Sequence, residues 1–533
     1  MAGSLAPGEQ VGRYGLQPDS ASDTPPRSFR HRLIAMTSSD PKNAHGPDAV
    51  SAGTPRHWPA WIAGAASDDG TRAEVTHPGD GSVVGTYTVP SAASVEAAIA
   101  GAWAVRKAAQ ATTAAQRAAA LTHVSRRLEE RVEEAAALIT AENGKPITWA
   151  RAEATRAAST FRWAAEEARR FMGEFQRLDT EAATAGRAAI IRRFPHGPVL
   201  GISPFNFPIN LVAHKIAPAL AVGAPIVVKP APATPLGALL LGELLGETDL
   251  PPGMFSVIPV GNEAAPALTL DPRLPVISFT GSEPVGFAIQ RSVPSKHIVL
   301  ELGGNAAAII LADYSSDKDL EWAAQRIAMF GNSQAGQTCV SVQRIFVHEA
   351  VADRFTARLI AAVRGLHSGS PWDPATVVGP MISESAAERV EEWVAEATEA
   401  GATLLAGGGR AGTYVEPTLL SNVDPTVRVS CEEVFGPVMS IQVIKDLDEG
   451  IGLVNDSRFG LQTGVFTHNL QDIFRAHRDL EVGGVIIGDA PTFRADQMPY
   501  GGIKASGVGR EGLRSAMVDF THERVLVLTD LAL

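Results

Sequence analysis

Between Glu74 and Ser91 the chain alternates apolar and polar residues around Gly79-Asp80-Gly81. A period of two puts successive side chains on opposite faces of a strand, so a hairpin is expected there. Ser91 then stands where a helix N-cap is wanted, ahead of an Ala-rich stretch. Two long helices should follow, from Ala114 to about Asn143 and from Trp149 to about Phe171, the first stopped by Gly144 with Pro146 beyond it. Arg187 to Pro195 reads as a strand whose charged flanks suit an exposed ribbon reaching toward another subunit.

The pattern changes over residues 198–302, where short apolar runs ("PVLGIS", "APIVVKP", "MFSVIPV", "LPVISFTGS", "HIVLELGG") alternate with helical segments. That is the signature of βαβαβ units whose parallel sheet is buried on both faces. A second α/β region spans about 303–484, and "HERVLVLTD" reads as a final strand. Residues 1 to about 56 are rich in Pro, Ser, Asp and Gly without sustained periodicity, so they read as a disordered extension, with Met36 a candidate true start. No internal repeat stands out.

Length and composition narrow the class. The 533 residues suggest about three domains. With 46 Lys+Arg against 58 Asp+Glu the formal charge is −12, and no long basic block occurs, which argues against nucleic acid or an anionic membrane as partner. Two cysteines exclude a disulfide framework and a Cys-only zinc site. No 18-residue apolar run and no apolar signal core are present, so a reducing cytoplasm is the expected location.

Several residues carry candidate chemistry. Cys339 lies in the polar, glycine-containing "GNSQAGQTCVSVQR" rather than on an apolar stripe, which suits a reactive thiol as readily as an ordinary lone cysteine. Cys431 is followed by two carboxylates that oppose thiolate formation, making it the poorer nucleophile. Glu301 ends the apolar strand of "IVLELGGN", where burial would raise its pKa toward that of a general base; a surface Glu at a strand end is the plain alternative. Lys229 ends another buried strand at the edge where open sheets bind ligands, or else simply snorkels from it. Asn206 is boxed by Pro204, Phe205, Phe207 and Pro208, a rigid amide suited to an oxyanion hole or an ordinary turn. Ser282 starts a helix after "VISFTG", where free N–H groups could hold a pyrophosphate. The literal G-x-G-x-x-G at Gly507–Gly512 lacks an apolar strand before it and is rejected as a dinucleotide loop.

Taken in order, PFNFP, VVKPAPATP, FTGS, ELGGN, GQTC, EEVFGPV and YGGIKASGVGREG resemble the aldehyde dehydrogenase superfamily over about residues 58–533, within its succinate-semialdehyde and lactaldehyde dehydrogenase-like branch. The resemblance implies an α/β fold: a Rossmann-like cofactor domain (57–178 and 196–300), an α/β catalytic domain (301–514) and a small bridging β-element (179–195 and 515–533) that makes homodimers or homotetramers. It implies Cys339 as nucleophile, Glu301 as general base, and Asn206 with the Cys339 N–H as oxyanion donors. Lys229 and Glu433 would bind the cofactor riboses and Phe435 the nicotinamide end. Ser203, Phe205, Gly261, Phe279, Gly281, Ser282, Val285 and Leu302 would line the rest of the NAD or NADP site. Lys215 and Glu511 would lie behind the active site as a proton network. No metal is implied.

Two departures stand out. Three residues after Lys229 many NAD-preferring relatives place Glu, whereas this chain has Pro232, which leaves cofactor choice open with a slight lean to NAD; and Phe205 replaces a common Trp. Arg494, in "DAPTFRADQMPYGG", either offers its planar fork to an anionic aldehyde or pairs with Asp489 or Asp496 to shape the loop. The expected substrate is a small, anionic or hydroxylated aldehyde. Rival readings are a CoA-acylating enzyme, a Cys/His hydrolase using His348 or His214, and a catalytically silent binding protein.

Overall fold

The computed structural model describes residues 55–530, so the expected extension falls outside the described residues except for its last two positions. Strands Gly70–Thr76 and Val83–Pro90 form the anticipated antiparallel hairpin. Ser91 caps helix Ala92–Ala111, its Oγ accepting from Ser94 N at 3.1 Å. The single helix expected over 114–143 is instead two, Ala114–Glu130 and Val132–Asn143. They part at Arg131, whose φ of −113° and ψ of 25° leave the helical well while its guanidinium bridges Glu134 and Glu243. No Gly or Pro marks this break. Gly144 closes the second helix at φ 74°, and helix Ile147–Arg170 starts directly after Pro146.

Five parallel strands form the heart of an eight-stranded sheet: Val199–Ile202, Ile226–Lys229, Phe255–Val257, Val276–Thr280 and His297–Glu301. In space they stand fifth, fourth, first, second, third. Their alternate residues enter different cores: Val199, Ile226, Val228 and Val276 join one cluster, Leu200, Val227, Ile277 and Leu300 the other. Burial on both faces is why these strands read as unbroken apolar runs. The strand order reverses between Val199–Ile202 and Val276–Thr280, and beyond the carboxyl ends at such a switch point open sheets bind ligands. Gly507–Val508, from the rejected glycine motif, serves as an antiparallel edge strand against Leu300–Glu301.

A seven-stranded sheet follows, parallel except for its edge strand Thr403–Ala406, with Ala307–Ile310 near its middle. The third layer is a ribbon of Glu174–Arg177, Ala188–Pro195 and Thr521–Leu528, all antiparallel. Its Phe175, Val525 and Leu526 are more than half exposed. No helix among the described residues is long and apolar enough to cross a membrane.

Candidate active site

The carboxyl ends of the first sheet face the loops of the second region across a cavity of about 1160 Å³. Cys339, Glu301 and Asn206 all line it, as do Ser203, Phe205, Lys229, Phe279, Gly281, Ser282, Val285, Leu302, Glu433, Phe435, Arg494 and Glu511. Two expected site residues do not. Gly261 lies one position before the lining residue Asn262, and Lys215 is wholly buried behind the wall.

Cys339 follows a tight turn, Ser333–Gly336, in which Gln334 and Ala335 hold left-handed φ values of 55° and 53°. Non-glycine residues adopt this region at a cost, and the surroundings hold them there. The side chain of Gln334 donates to the carbonyl of Asn206 and to Asn143 Oδ1, and Asn143 Nδ2 donates to Phe205 O at 2.8 Å. Asn206 Nδ2 donates in turn to Gln337 O at 3.0 Å, which ties the oxyanion candidate to the cysteine loop. Tyr500 Oη stands 2.9 Å from Cys339 Sγ. Burial, helped by the Glu433 carboxylate, pushes the thiol up to about 12 against the pull of the Tyr500 hydrogen bond. Cys431 is exposed and also raised, first by desolvation and then by Glu432. Of the two carboxylates expected to act on Cys431, Glu433 faces Cys339 instead.

Glu301 is buried, accepts the Glu511 backbone N–H at 3.1 Å on Oε1, and leaves Oε2 without a partner. Desolvation holds its pKa well above the usual carboxylate range, and the negative Glu511 raises it further. Gly501 (φ 151°) permits this approach, because a Cβ there would come within 2.8 Å of Oε1. At the other bend of the site a Cβ on Gly303 would collide with the Glu433 carboxylate. Glu433 Oε1 accepts from Gly304 N at 3.0 Å, and burial lifts it to about 7.

Behind the cysteine lies a chain of buried charges. Arg494 Nη2 meets Glu511 Oε2 at 2.8 Å and stacks at 4.0 Å over Tyr500. It does not pair with either aspartate expected: Asp489 binds Arg326, and Asp496 binds Arg156 and His214. Lys215 Nζ donates to Thr280 Oγ1 and Ser278 Oγ. Burial would neutralise Glu511, but Arg494, His214 and Lys215 outweigh it and hold the carboxylate below its usual range. His214 is therefore engaged by Asp496 and Arg494, His348 Nδ1 accepts from Ala350 N, and no histidine among the described residues lines the cavity. A Cys/His pair does not form.

Sequence reasoning missed Tyr500 and Arg156. Arg156 also lines the cavity, one residue from the buried helical stripe Glu153–Ala157–Thr160–Ala164, a position where a charged residue was the available signal. Tyr500 lay inside a quoted motif with no periodicity to reveal its direction.

The cavity also suits a dinucleotide. Ser282 starts helix Glu283–Ser292 without a side-chain cap, which leaves first-turn N–H groups free for a pyrophosphate. Glu283, which would repel it, is ion-paired to Arg458. Lys229 Nζ, bonded to Asn262 Oδ1 at 3.0 Å, offers a ribose donor at the far end.

Residues 64–526 match the aldehyde dehydrogenase family. The chain belongs to that family. Its aldehyde dehydrogenase fold and its standing as an NAD(P)-dependent oxidoreductase acting on aldehydes follow from that membership. The 3-sulfolactaldehyde dehydrogenase of Priestia aryabhattai is 44% identical over 402 residues, covering 75% of this chain and 83% of that one. The NADP(+) succinate-semialdehyde dehydrogenase of Escherichia coli is 37% identical over 473 residues, covering 87% and 95%. The crystal structure of aldehyde dehydrogenase 21 from Physcomitrella patens, in complex with the reaction product succinate, superposes with a TM-score of 0.88 at 42% identity. It covers 90% of this chain and 100% of that one.

Proposed function

We propose that this aldehyde dehydrogenase oxidises a short, anionic aldehyde to its acid through a covalent Cys339 intermediate. The observation that carries the reading is that Cys339, Glu301 and Asn206 share one cavity with an uncapped helix N-terminus and with three arginines, Arg156, Arg389 and Arg494. The Cys339 thiolate attacks the aldehyde carbon, giving a thiohemiacetal alkoxide. Asn206 Nδ2, tethered through Gln337, and the Cys339 backbone N–H stabilise that alkoxide. NAD(P)+, when bound in this cavity, would supply the hydride acceptor for oxidation of the thiohemiacetal to a thioester. Glu301, whose raised pKa and unpartnered Oε2 suit a base, takes a proton from water, and the resulting hydroxide releases the acid and the Cys339 thiolate.

Residues 57–173 and 196–300 then form the cofactor domain, 301–514 the catalytic domain, and 174–195 with 515–533 the bridging element, whose start moves ahead of 179 because Glu174–Arg177 pairs with Ala188–Ile191. Phe205 and Phe435, edge to face at 5.8 Å, would flank the nicotinamide end, with Ser203, Phe279, Gly281, Val285 and Leu302 along the rest of the groove and Gly261 supporting Asn262. Pro232 lines the cavity and carries neither an acceptor for a 2′-hydroxyl nor a charge against a 2′-phosphate, so either NAD or NADP fits.

The anionic substrate follows from Arg494 and Arg156. Both line the cavity, and Nη1 of each makes no hydrogen bond to the described residues. A carboxylate, sulfonate or phosphate would satisfy both forks. Exposed Phe175, Val525 and Leu526 on the ribbon support assembly with further copies of this chain, as a dimer or tetramer.

A panel of charged and neutral aldehydes, assayed with NAD+ and NADP+, tests the reading. Reduced nicotinamide should form only with an aldehyde present, fastest with short anionic ones, and adding CoA should not change the product. Cofactor-independent hydrolysis, or acyl-CoA as product, would replace it.

A further inference from the structure

The loop that carries Asn206 is bounded by Pro204 and Pro208, which have no N–H to give, so its main chain is anchored through its carbonyls. Asn143, the last residue of helix Val132–Asn143, donates from Nδ2 to Phe205 O at 2.8 Å, with Thr234 Oγ1 on the same oxygen at 3.4 Å. Gln334 donates from Nε2 to the next carbonyl, Asn206 O, and to Asn143 Oδ1 at 3.2 Å. The Asn206 side chain is held from the same direction: its Nδ2 gives one hydrogen to Gln337 O and keeps a second. Gln337 in turn donates from Nε2 to Gln334 O at 3.1 Å. Main chain and amide of Asn206 are therefore both fastened to the turn that leads into Cys339. Gln334 is buried, and neither it, Gln337 nor Asn143 lines the cavity. It also holds φ 55° and ψ 36°, a left-handed conformation in which glycine is the natural residue. Glycine would relieve the turn but could make none of the side-chain bonds.

We propose that Gln334 is a positioning residue for the oxyanion site, clamping the Asn206 loop to the cysteine loop so that the Asn206 amide and the Cys339 N–H keep a fixed separation. The inference rests on the reading that these two donors hold the thiohemiacetal alkoxide. Asn206 follows strand Val199–Ile202 of the first sheet, whereas Cys339 belongs to the second α/β region, so their separation is a tertiary distance that neither loop sets alone. Gln334 spans it with one side chain. An oxyanion donor is effective because it is aimed before the charge develops, and a donor free to drift must reorganise during the reaction. Loosening the clamp therefore slows chemistry and leaves aldehyde binding alone.

Single-turnover formation of reduced nicotinamide, with the full chain in excess over succinate semialdehyde and with NAD+ or NADP+ saturating, reads thioester formation alone. Its dependence on enzyme concentration separates binding from chemistry. Gln334→Gly suits the left-handed turn and Gln334→Met fills the same space, and both remove the donor. Each should lower the limiting rate about 10- to 100-fold, with half-saturation unchanged within about threefold. Asn206→Ala should lower it about 10²- to 10³-fold, and adding Gln334→Gly to that variant should cost no more than about a further twofold, because the group being positioned is gone. A general folding role would multiply the two losses instead. Multiplied losses, or Gln334 variants as fast as the unmodified enzyme, would overturn the proposal while leaving Asn206 its role. If Asn206→Ala is as fast as the unmodified enzyme, or the unmodified enzyme forms no reduced nicotinamide with any aldehyde of the panel, the reading of the site falls and takes this proposal with it.

Discussion

The backbone N–H of Glu511 donates to Glu301 Oε1 at 3.1 Å, while the Glu511 side chain turns away to Arg494. One residue thus fixes the direction of the base and, through its charge, adds to the burial that keeps the pKa of that base high. Glu301→Gln keeps the shape and the hydrogen bond but removes the proton acceptor. Acylation should persist and thioester hydrolysis should stall, giving a pre-steady-state burst followed by turnover slowed about 10²- to 10⁴-fold. Stopped-flow absorbance checks this, and loss of the burst would mean that Glu301 acts before hydride transfer.

Glu511→Gln tests the electrostatic half of that relationship. Glu301 must be ionised to accept a proton, so kcat should rise with pH through its raised pKa and then level off. Removing the Glu511 charge takes away a contribution that raises that pKa, so the acidic limb of the kcat profile should move to lower pH. The backbone N–H remains in place, which keeps the base oriented. A limb that stays put would assign it to another group.

Tyr500 and Cys339 give a third test. Cys339→Ala should abolish oxidation and Cys431→Ala should largely spare it, since Cys431 is exposed and outside the cavity that holds Cys339. The Tyr500 hydroxyl favours the thiolate, against the burial that pushes Cys339 up to about 12. Tyr500→Phe should therefore slow iodoacetamide modification of Cys339 about three- to tenfold at neutral pH, with the rate still climbing as pH rises. Faster modification would reverse the assigned role of the hydroxyl.

Lys145 is fully buried and ion-paired to Glu153, which accepts from Ile209 N and Asn210 N just beyond the Asn206 loop. Lys145→Met would strand the Glu153 carboxylate, costing about 3–5 kcal/mol of stability. Denaturant unfolding should show that loss, and Lys145→Met with Glu153→Gln should recover part of it.

What could be read from the chain follows the physics of each feature. The parallel strands were visible because burial on both faces leaves only apolar residues, and Lys229 and Glu301 stood out because each ends such a run. The helix break at Arg131 was invisible, since a tertiary pair with Glu243 rather than Gly or Pro goes with it. Arg494 was seen as a cation in the right loop, but its partner Glu511 comes from beyond a turn that no periodicity describes. Tyr500 and Gln334 act through orientation in irregular segments, which sequence spacing does not encode.

Arg156 separates substrate recognition from the integrity of the site better than Arg494 does. Arg494 is buried and is the ion-pair partner of Glu511, so Arg494→Ala strands a buried carboxylate beside the base and should damage turnover of every aldehyde. Arg156 is about a third exposed, and its Nε and Nη2 rest on Asp496, which keeps His214 as a second partner. Its loss leaves no carboxylate without a donor. Arg156→Ala should therefore raise KM for short anionic aldehydes about 10- to 100-fold, the worth of one charge-assisted hydrogen bond of about 1.5–3 kcal/mol. For neutral aldehydes of equal length KM should stay within about twofold and kcat should hold for both. Steady-state kinetics on matched pairs of aldehydes provides the measurement. Equal KM increases for both charges would show that Arg156 only shapes the channel, and would leave the anion to the other arginines of the cavity, Arg389 and Arg494.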